Sequence, residues 1–233
     1  GVGRGPEADL RLLGQRCDPQ GQELRLSWGG AAYQAKLGLV GDFQAWNAAL
    51  AAGLAIACGD APGRVMAALP ALETVRGRMQ LAAARTNGAG VYVDYAHTPD
   101  AVATALRALR PHVMGRLVAV IGAGGDRDAA KRPLMGAAAM AEADHVIVTD
   151  DNPRSEDPAT IRAEVMEGAP EAEEVGDRAE AILRAVAALG PGDALLIAGK
   201  GHETGQEIAG VTYPFDDAEQ ASLAVAALEG RTA

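Results

Sequence analysis

Aromatic residues supply only 3% of this chain, cysteines number two, and acidic residues outnumber basic ones by 31 to 21. Each shortage excludes something. Few aromatics beside abundant alanine argue against a β-sandwich and for close-packed helices on a sheet of Val, Ile and Leu. Cys17 and Cys58 have neither metal-ligand spacing nor a disulfide framework around them, and read as free thiols in a reducing compartment. A formal net charge of -10 argues against general nucleic-acid binding, which needs a basic surface to displace counterions from phosphates. No apolar run reaches the roughly 18 residues that span a bilayer, and no signal-peptide pattern is visible. The expectation is a soluble, cytoplasmic protein that binds neither nucleic acid nor membrane.

Several motifs are missing too. No G-x-x-x-x-G-K-S/T loop occurs, so no Walker-type phosphate cradle is expected. No G-x-S-x-G elbow occurs, which argues against a Ser-His-Asp hydrolase. The stretch "GAGGDRD" (122–128) fails the dinucleotide fingerprint, because Arg127 stands where its third glycine belongs. Its glycines are expected to allow a tight turn or a close backbone approach to a ligand, with Arg127 aimed at an anion. No cluster of His, Cys and carboxylates has local ligand spacing, so no metal site is expected.

What is present is a chain of 233 residues, 48% hydrophobic, long enough for one large domain or a domain plus a substantial second piece. Its opening, "GVGRGPEADLR", has neither a start Met nor the look of a folded beginning, and suggests a fragment. Residues 9–40 alternate polar and apolar in short pieces that suit antiparallel strands with one wet face. Asp42 is a candidate cap for a buried Ala/Leu-rich helix ending at Gly59, and a second helix over "GRVMAALPAL" is broken by Pro70. A boundary is expected near Arg76. Behind it four β-rich runs, 90–96, 116–125, 145–152 and 193–201, alternate with helical stretches. That pattern predicts an α/β, Rossmann-like, doubly wound and mostly parallel sheet.

In such a sheet ligands bind beyond the carboxyl ends of the strands. The four runs end in Asp94–His97, Gly122–Asp128, Asp150–Arg154 and Gly199–Glu203, and should converge on one edge. His97 and His202 directly follow strands; His112 and His145 flank apolar runs and read as structural. Arg154 carries the most information, because a guanidinium takes a carboxylate in a bidentate fork that lysine cannot copy. Beside it, Asp151, Asn152 and Glu203 could take an ammonium group. The residues alone leave a second reading open, in which Asp150, Asp151 and Arg154 pair with one another around an Asn152-Pro153 turn.

Five stretches, "GRMQ", "VDYAHTPDA", "GAGGDRDAAKRPLMG", "VTDDNPRSEDP" and "AGKGHETGQEI", occur in an order and spacing that resemble the C-terminal half of the Mur ligases. The likeness runs from about residue 37 to the end and is to the branch that adds meso-diaminopimelate to UDP-N-acetylmuramoyl-L-alanyl-D-glutamate. It implies that residues 1–75 are the tail of a central ATPase domain and 76–233 the C-terminal domain. It places Asn47 against adenine, although Gln44 departs from a second asparagine common in the family. It puts Arg78, Asp94 and His97 on the ATP side, and Arg127, Asp151, Asn152, Arg154, Gly199 and Glu203 on the incoming diamino acid. It gives Arg154 the extra carboxylate that diaminopimelate has and lysine lacks. Asp150 and Glu156 gain no role from it and read as a solvated turn.

The implied reaction is ATP- and Mg2+-dependent amide formation through an acyl phosphate. The chain lacks the UDP-sugar domain, the phosphate loop and the family's magnesium-holding residues, so no catalytic residue is expected within it and no ligase activity from it alone. Rival expectations are a non-catalytic amino-acid-binding module, a lysine-adding, folylpolyglutamate or cyanophycin-type ligase, and a nucleotide-dependent oxidoreductase. The failed glycine fingerprint argues against the last.

Overall fold

A computed structural model describes residues 1–230. The chain divides into two compact units, Gly1–Thr74 and the residues from Val75 onward.

The first unit is a four-stranded sheet in the order β1 (Val2–Gly3), β2 (Leu10–Asp18), β3 (Gly21–Trp28), β4 (Ala31–Leu37). β2, β3 and β4 form the antiparallel meander that the alternation predicts, and the two-residue turn between β3 and β4 uses Gly29 and Gly30, both at positive φ. The inward residues Leu10, Leu12, Leu24, Leu26 and Leu37 pack on Ala45, Ala48, Ala49, Ala52 and Ile56 of α1 (Phe43–Ala57). Two expectations change. The opening residues are not shapeless: β1 pairs in parallel with β2. Asp42 occupies the N-cap position of α1, but its backbone is already helical and its side chain makes no capping bond. The helix gives way at Cys58, where Gly59 takes φ +106°, and α2 (Pro62–Ala68) tightens into a 3-10 turn containing Pro70.

The second unit is a six-stranded sheet in the order β5-β6-β10-β7-β8-β9, with β5 (Gln80–Ala84), β6 (Gly90–Asp94), β7 (Leu117–Ile121), β8 (His145–Val148), β9 (Glu173–Glu174) and β10 (Ala194–Ala198). β6, β7, β8 and β10 are the four predicted runs. Each is parallel to its neighbours, except that β5 adds an antiparallel edge beside β6. Helices α3 (Pro99–Leu109), α4 (Lys131–Glu142) and α5 (Pro158–Glu167) pack in sequence, while α6 (Arg178–Ala187) packs on α7 (Asp217–Leu228). Alternate strand residues, among them Val91, Val93, Val118, Val120, Leu195 and Ile197, bury against Ala181, Ile182, Ala185 and Val186 of α6 and Ala221, Ala224 and Val225 of α7.

Each of α3, α5, α6 and α7 begins at a side-chain cap, from Thr98, Asp157, Asp177 and Asp216, and Pro99 and Pro158 supply the first helical residues of α3 and α5. Between β10 and α7 lies an antiparallel hairpin, β11 (Gly205–Ile208) and β12 (Val211–Pro214).

Candidate functional site

Because β6, β10, β7 and β8 run the same way, their carboxyl ends meet at one edge of the sheet. A cleft of about 410 Å³ opens there. His97, Arg127, Asp151, Asn152, Arg154, Gly199 and Glu203 all line it, so seven of the predicted site residues share one cavity. Arg78 and Asp94 sit beside it, and Asn47 belongs to the first unit, on α1, where its amide donates to Gln44 Oε1 at 3.1 Å.

The glycine-rich loop after β7 packs closely on the neighbouring loop, while its Gly122 and Gly124 also line the cleft. A Cβ on Gly125 would stand 1.9 Å from Pro153 O, and one on Gly122 would stand 2.7 Å from Thr149 O. Gly125 N donates to Asn152 O at 2.9 Å, sealing the loop after β7 against the loop after β8. Arg127, exposed at the rim, makes no ion pair or hydrogen bond among the described residues, so its guanidinium is available to an anion.

Arg154 holds its backbone at φ +53°, an uncommon conformation for a residue with a Cβ. Its surroundings impose this. Arg154 N donates to Glu207 O at 3.0 Å and Arg154 O accepts from Ala209 N at 2.7 Å, so the residue is bridged to β11. Nη1 donates to Gly125 O at 2.7 Å and Nε lies 3.4 Å from Glu207 Oε2, which leaves the Nη2 end of the fork open.

The compact charge cluster after β8 does not pair within itself. Asp150 forms an ion pair with Arg162, which also holds Glu174 at 2.8 Å. Burial pushes the Asp150 carboxyl up, against the pull of Arg162. Glu156 pairs with the nearly inaccessible Arg132 at 2.8 Å and accepts from Asp126 N at 2.5 Å. Neither acid is a solvated turn residue; both clamp the loops that shape the cleft. Asp151, 8% exposed, makes no side-chain hydrogen bond among the described residues and lines the cavity, with the buried Arg178 guanidinium as a more distant counter-charge. Asn152 is more committed than expected: Nδ2 donates to Glu203 Oε2 at 2.8 Å, and Oδ1 accepts from Lys200 Nζ at 2.9 Å and Glu207 N at 3.0 Å.

At the β6 end, Asp94 accepts from Met79 N at 2.8 Å and Ala96 N at 2.9 Å, and burial raises its carboxyl above the ordinary range despite both bonds. It thus ties the segment carrying Arg78 to the strand end. Tyr95 collects the neighbours: Arg78 lies 5.0 Å over its ring, His97 4.6 Å and His202 5.1 Å from its centroid. Of the two histidines read as structural, His112 is buried and His145 Nε2 lies 3.6 Å from Glu173 Oε2.

Lys200, Arg132 and Tyr95 carry no assignment from the sequence. A fully apolar strand ending in a lysine bracketed by glycines is the available signal for the first; nothing local marks Arg132, whose ion-pair partners lie 24 and 32 residues away.

Residues 77–201 match the family described as Mur ligase, glutamate ligase domain. The chain is 54% identical over 221 residues to the UDP-N-acetylmuramoyl-L-alanyl-D-glutamate--2,6-diaminopimelate ligase of Caulobacter vibrioides, covering 95% of this chain and 45% of that protein. To the protein of the same name from Zymomonas mobilis it is 54% identical over 228 residues, covering 96% and 47%. It therefore spans about half the length of the curated relatives it matches. A solved structure of a UDP-N-acetylmuramoyl-L-alanyl-D-glutamate--2,6-diaminopimelate ligase superposes with a TM-score of 0.77 at 37% identity, over 97% of this chain and 47% of that one. The UDP-N-acetylmuramate-alanine ligase of Thermotoga maritima shares the fold at a TM-score of 0.67 and 18% identity, over 97% and 47%. A family match that runs from the turn before β5 to the glycine after Lys200, on a sheet of the same architecture, makes this chain a member of the Mur ligase family.

Proposed function

We propose that the cleft binds meso-diaminopimelate and presents its amine for ATP-dependent amide formation with the D-glutamyl carboxylate of UDP-N-acetylmuramoyl-L-alanyl-D-glutamate. One observation carries this reading: a single cavity gathers the guanidiniums of Arg127 and Arg154, both with open donors, and the carboxylates of Asp151 and Glu203. A ligand with separated carboxylates and ammonium groups satisfies both sets of charges. Lysine, with one carboxylate fewer, leaves one guanidinium unanswered. Gly199, at φ +118° with a hypothetical Cβ 2.4 Å from Asp151 Oδ2, keeps the floor of the cleft low.

The chemistry asked of these residues is positioning. Holding the diamino acid by both ends fixes the attacking nitrogen and removes much of the entropic cost of bringing two substrates together. ATP, when bound, supplies the phosphoryl group that activates the carboxylate. On this chain Arg78 and His97, gathered on the Tyr95 cluster, are the groups that fit its phosphates, and Asp94 serves by holding the Arg78 segment. Among the described residues no group of three or more His, Cys, Asp or Glu could hold a metal ion, so Mg2+ is not assigned to them. The setting proposed is the bacterial cytoplasm, and no helix among the described residues is long and apolar enough to cross a membrane.

Isothermal titration with meso-diaminopimelate and lysine tests the reading. Diaminopimelate is expected to bind more tightly, and Arg154→Ala to weaken it about 10- to 100-fold while leaving lysine unchanged, the loss due to a charged hydrogen-bond pair. Equal affinity of the unaltered chain for both ligands overturns it. ADP release from this chain alone is not expected, since its sequence contains no Walker-type loop.

A further inference from the structure

Lys200 has no solvent exposure and does not line the cleft, yet both of its partners do. Its ammonium donates to Asn152 Oδ1 at 2.9 Å and stands 3.3 Å from Glu203 Oε2. Asn152 Nδ2 donates to the same Glu203 Oε2 at 2.8 Å. The three groups close a ring behind the wall of the cavity. This ring fixes the Asn152 amide in one sense: reversed, its NH2 group would face the ammonium, and its oxygen would face a carboxylate.

The backbone is built to bury this lysine. Gly199 and Gly201, on either side, have φ of +118° and +55°, and a Cβ on Gly201 would lie 2.6 Å from Tyr95 Cβ. A buried ammonium is costly to desolvate and a weak source of net stability, even when paired. What it contributes here is orientation and charge. With Oε2 of Glu203 committed to the ring, Oε1 is the oxygen left for a ligand. Glu203 is paired with Lys200 at close range, whereas Asp151 makes no ion pair within 4 Å among the described residues.

Resting on the diaminopimelate reading, we infer that Lys200 is the positioning residue of the amine-recognising wall, setting Glu203 directly and through Asn152 while touching no ligand itself. Its effect on binding therefore runs through Glu203.

A double-mutant cycle on the full 233-residue chain tests this by isothermal titration with meso-diaminopimelate. Lys200→Met is expected to weaken binding at least tenfold in the native background and by less than twofold when Glu203→Gln is already present. Losses that multiply across the two backgrounds, as a general packing defect would produce, overturn the inference, as does native-like binding by Lys200→Met. If Lys200→Met does not fold, Lys200→Gln, which retains a donor toward Asn152, takes its place in the cycle. A measurement on the unaltered chain needs no variant. The sequence has three lysines, Lys36, Lys131 and Lys200, so their 15N ammonium resonances are assignable. Diaminopimelate should shift that of Lys200; an unmoved resonance at saturating ligand overturns the inference. Failure of the unaltered chain to bind diaminopimelate removes the functional reading, and this inference with it. Intact binding without the Lys200 effects removes this inference alone.

Discussion

Arg178 Nε lies 2.7 Å from Asp217 Oδ1 and its Nη2 lies 2.8 Å from Oδ2, a bidentate pair with no exposure on either side chain. It joins the first residue of α6 to the first residue of α7. The same guanidinium donates to Ala198 O at 3.0 Å, at the end of β10, and to Asp150 O at 3.3 Å, in the loop after β8. The floor of the cleft is thus fastened from below.

Removing one partner strands the other charge in the interior, at an expected cost of about 3–5 kcal/mol for Asp217→Ala. The double replacement Arg178→Met with Asp217→Leu should recover most of that loss, because an apolar pair needs no desolvation of ions. Urea denaturation of the native chain and the two variants distinguishes the two outcomes.

Gly125→Ala sets a methyl group against Pro153 O at a hypothetical 1.9 Å and should destabilise by about 1–3 kcal/mol, as overpacking does. Diaminopimelate binding should weaken with it, because the displaced loop carries Arg127. Gly63→Ala is the contrast. That glycine sits in α2 with nothing within 4 Å of where the added methyl would stand, and the change should stabilise by about 0.5 kcal/mol. Thermal melts of both variants check the signs.

Arg132, with a side chain 3% exposed, donates to Glu164 at 2.6 Å, Glu156 at 2.8 Å and Gly124 O at 3.3 Å. Arg132→Met should cost about 2 kcal/mol through these charged hydrogen bonds. It should also speed hydrogen exchange at the Asp126 amide, which is held by Glu156. An Asp126 amide that exchanges at the native rate would show that Glu156 needs no clamp.

Asp94 should make stability rise on acidification in one window. Burial, the dominant influence on it, lifts its carboxyl above the unfolded value, so the folded chain takes up its proton at higher pH than the unfolded chain does. Between those two values the folded state binds more protons, and stability therefore increases as pH falls. Comparing melts of the native chain and Asp94→Asn from pH 7 to pH 4 isolates this contribution. The native chain should gain relative to the variant as pH drops.

Much of this architecture is legible in the sequence, where pattern and packing agree. Runs such as "VAVI" and "LLIA" are apolar at every position because helices cover both faces of a parallel sheet, and four of them announce the fold. The pieces without such a signal are those whose burial is not periodic. β5 is alanine-rich and half exposed, and every residue of β12 is exposed, so neither carries an alternation to read. α7 gives only a faint signal although Asp216 caps it, because its apolar residues are mostly small. In the cleft, residue types and strand ends point to side chains that share the cavity, but not to their commitments. That Asp150 belongs to Arg162, Glu156 to Arg132, and the Asn152 amide to Lys200 and Glu203 depends on contacts 12 to 51 residues apart, which local spacing cannot encode.

The place of β10 in the sheet has a further consequence, for the order in which the chain can become itself. β10 lies between β6 and β7, about a hundred and about eighty residues before it in the sequence, and it supplies the hydrogen bonds on one side of each. During synthesis β6 and β7 therefore emerge with their inner edges bare, and wait for the last sheet strand to be made. Long loop closures of this kind slow folding and leave pairing edges open to other chains. A nascent chain paused just short of Ala194 should be the most aggregation-prone length of this protein, and release of the next few residues should close the sheet in one step.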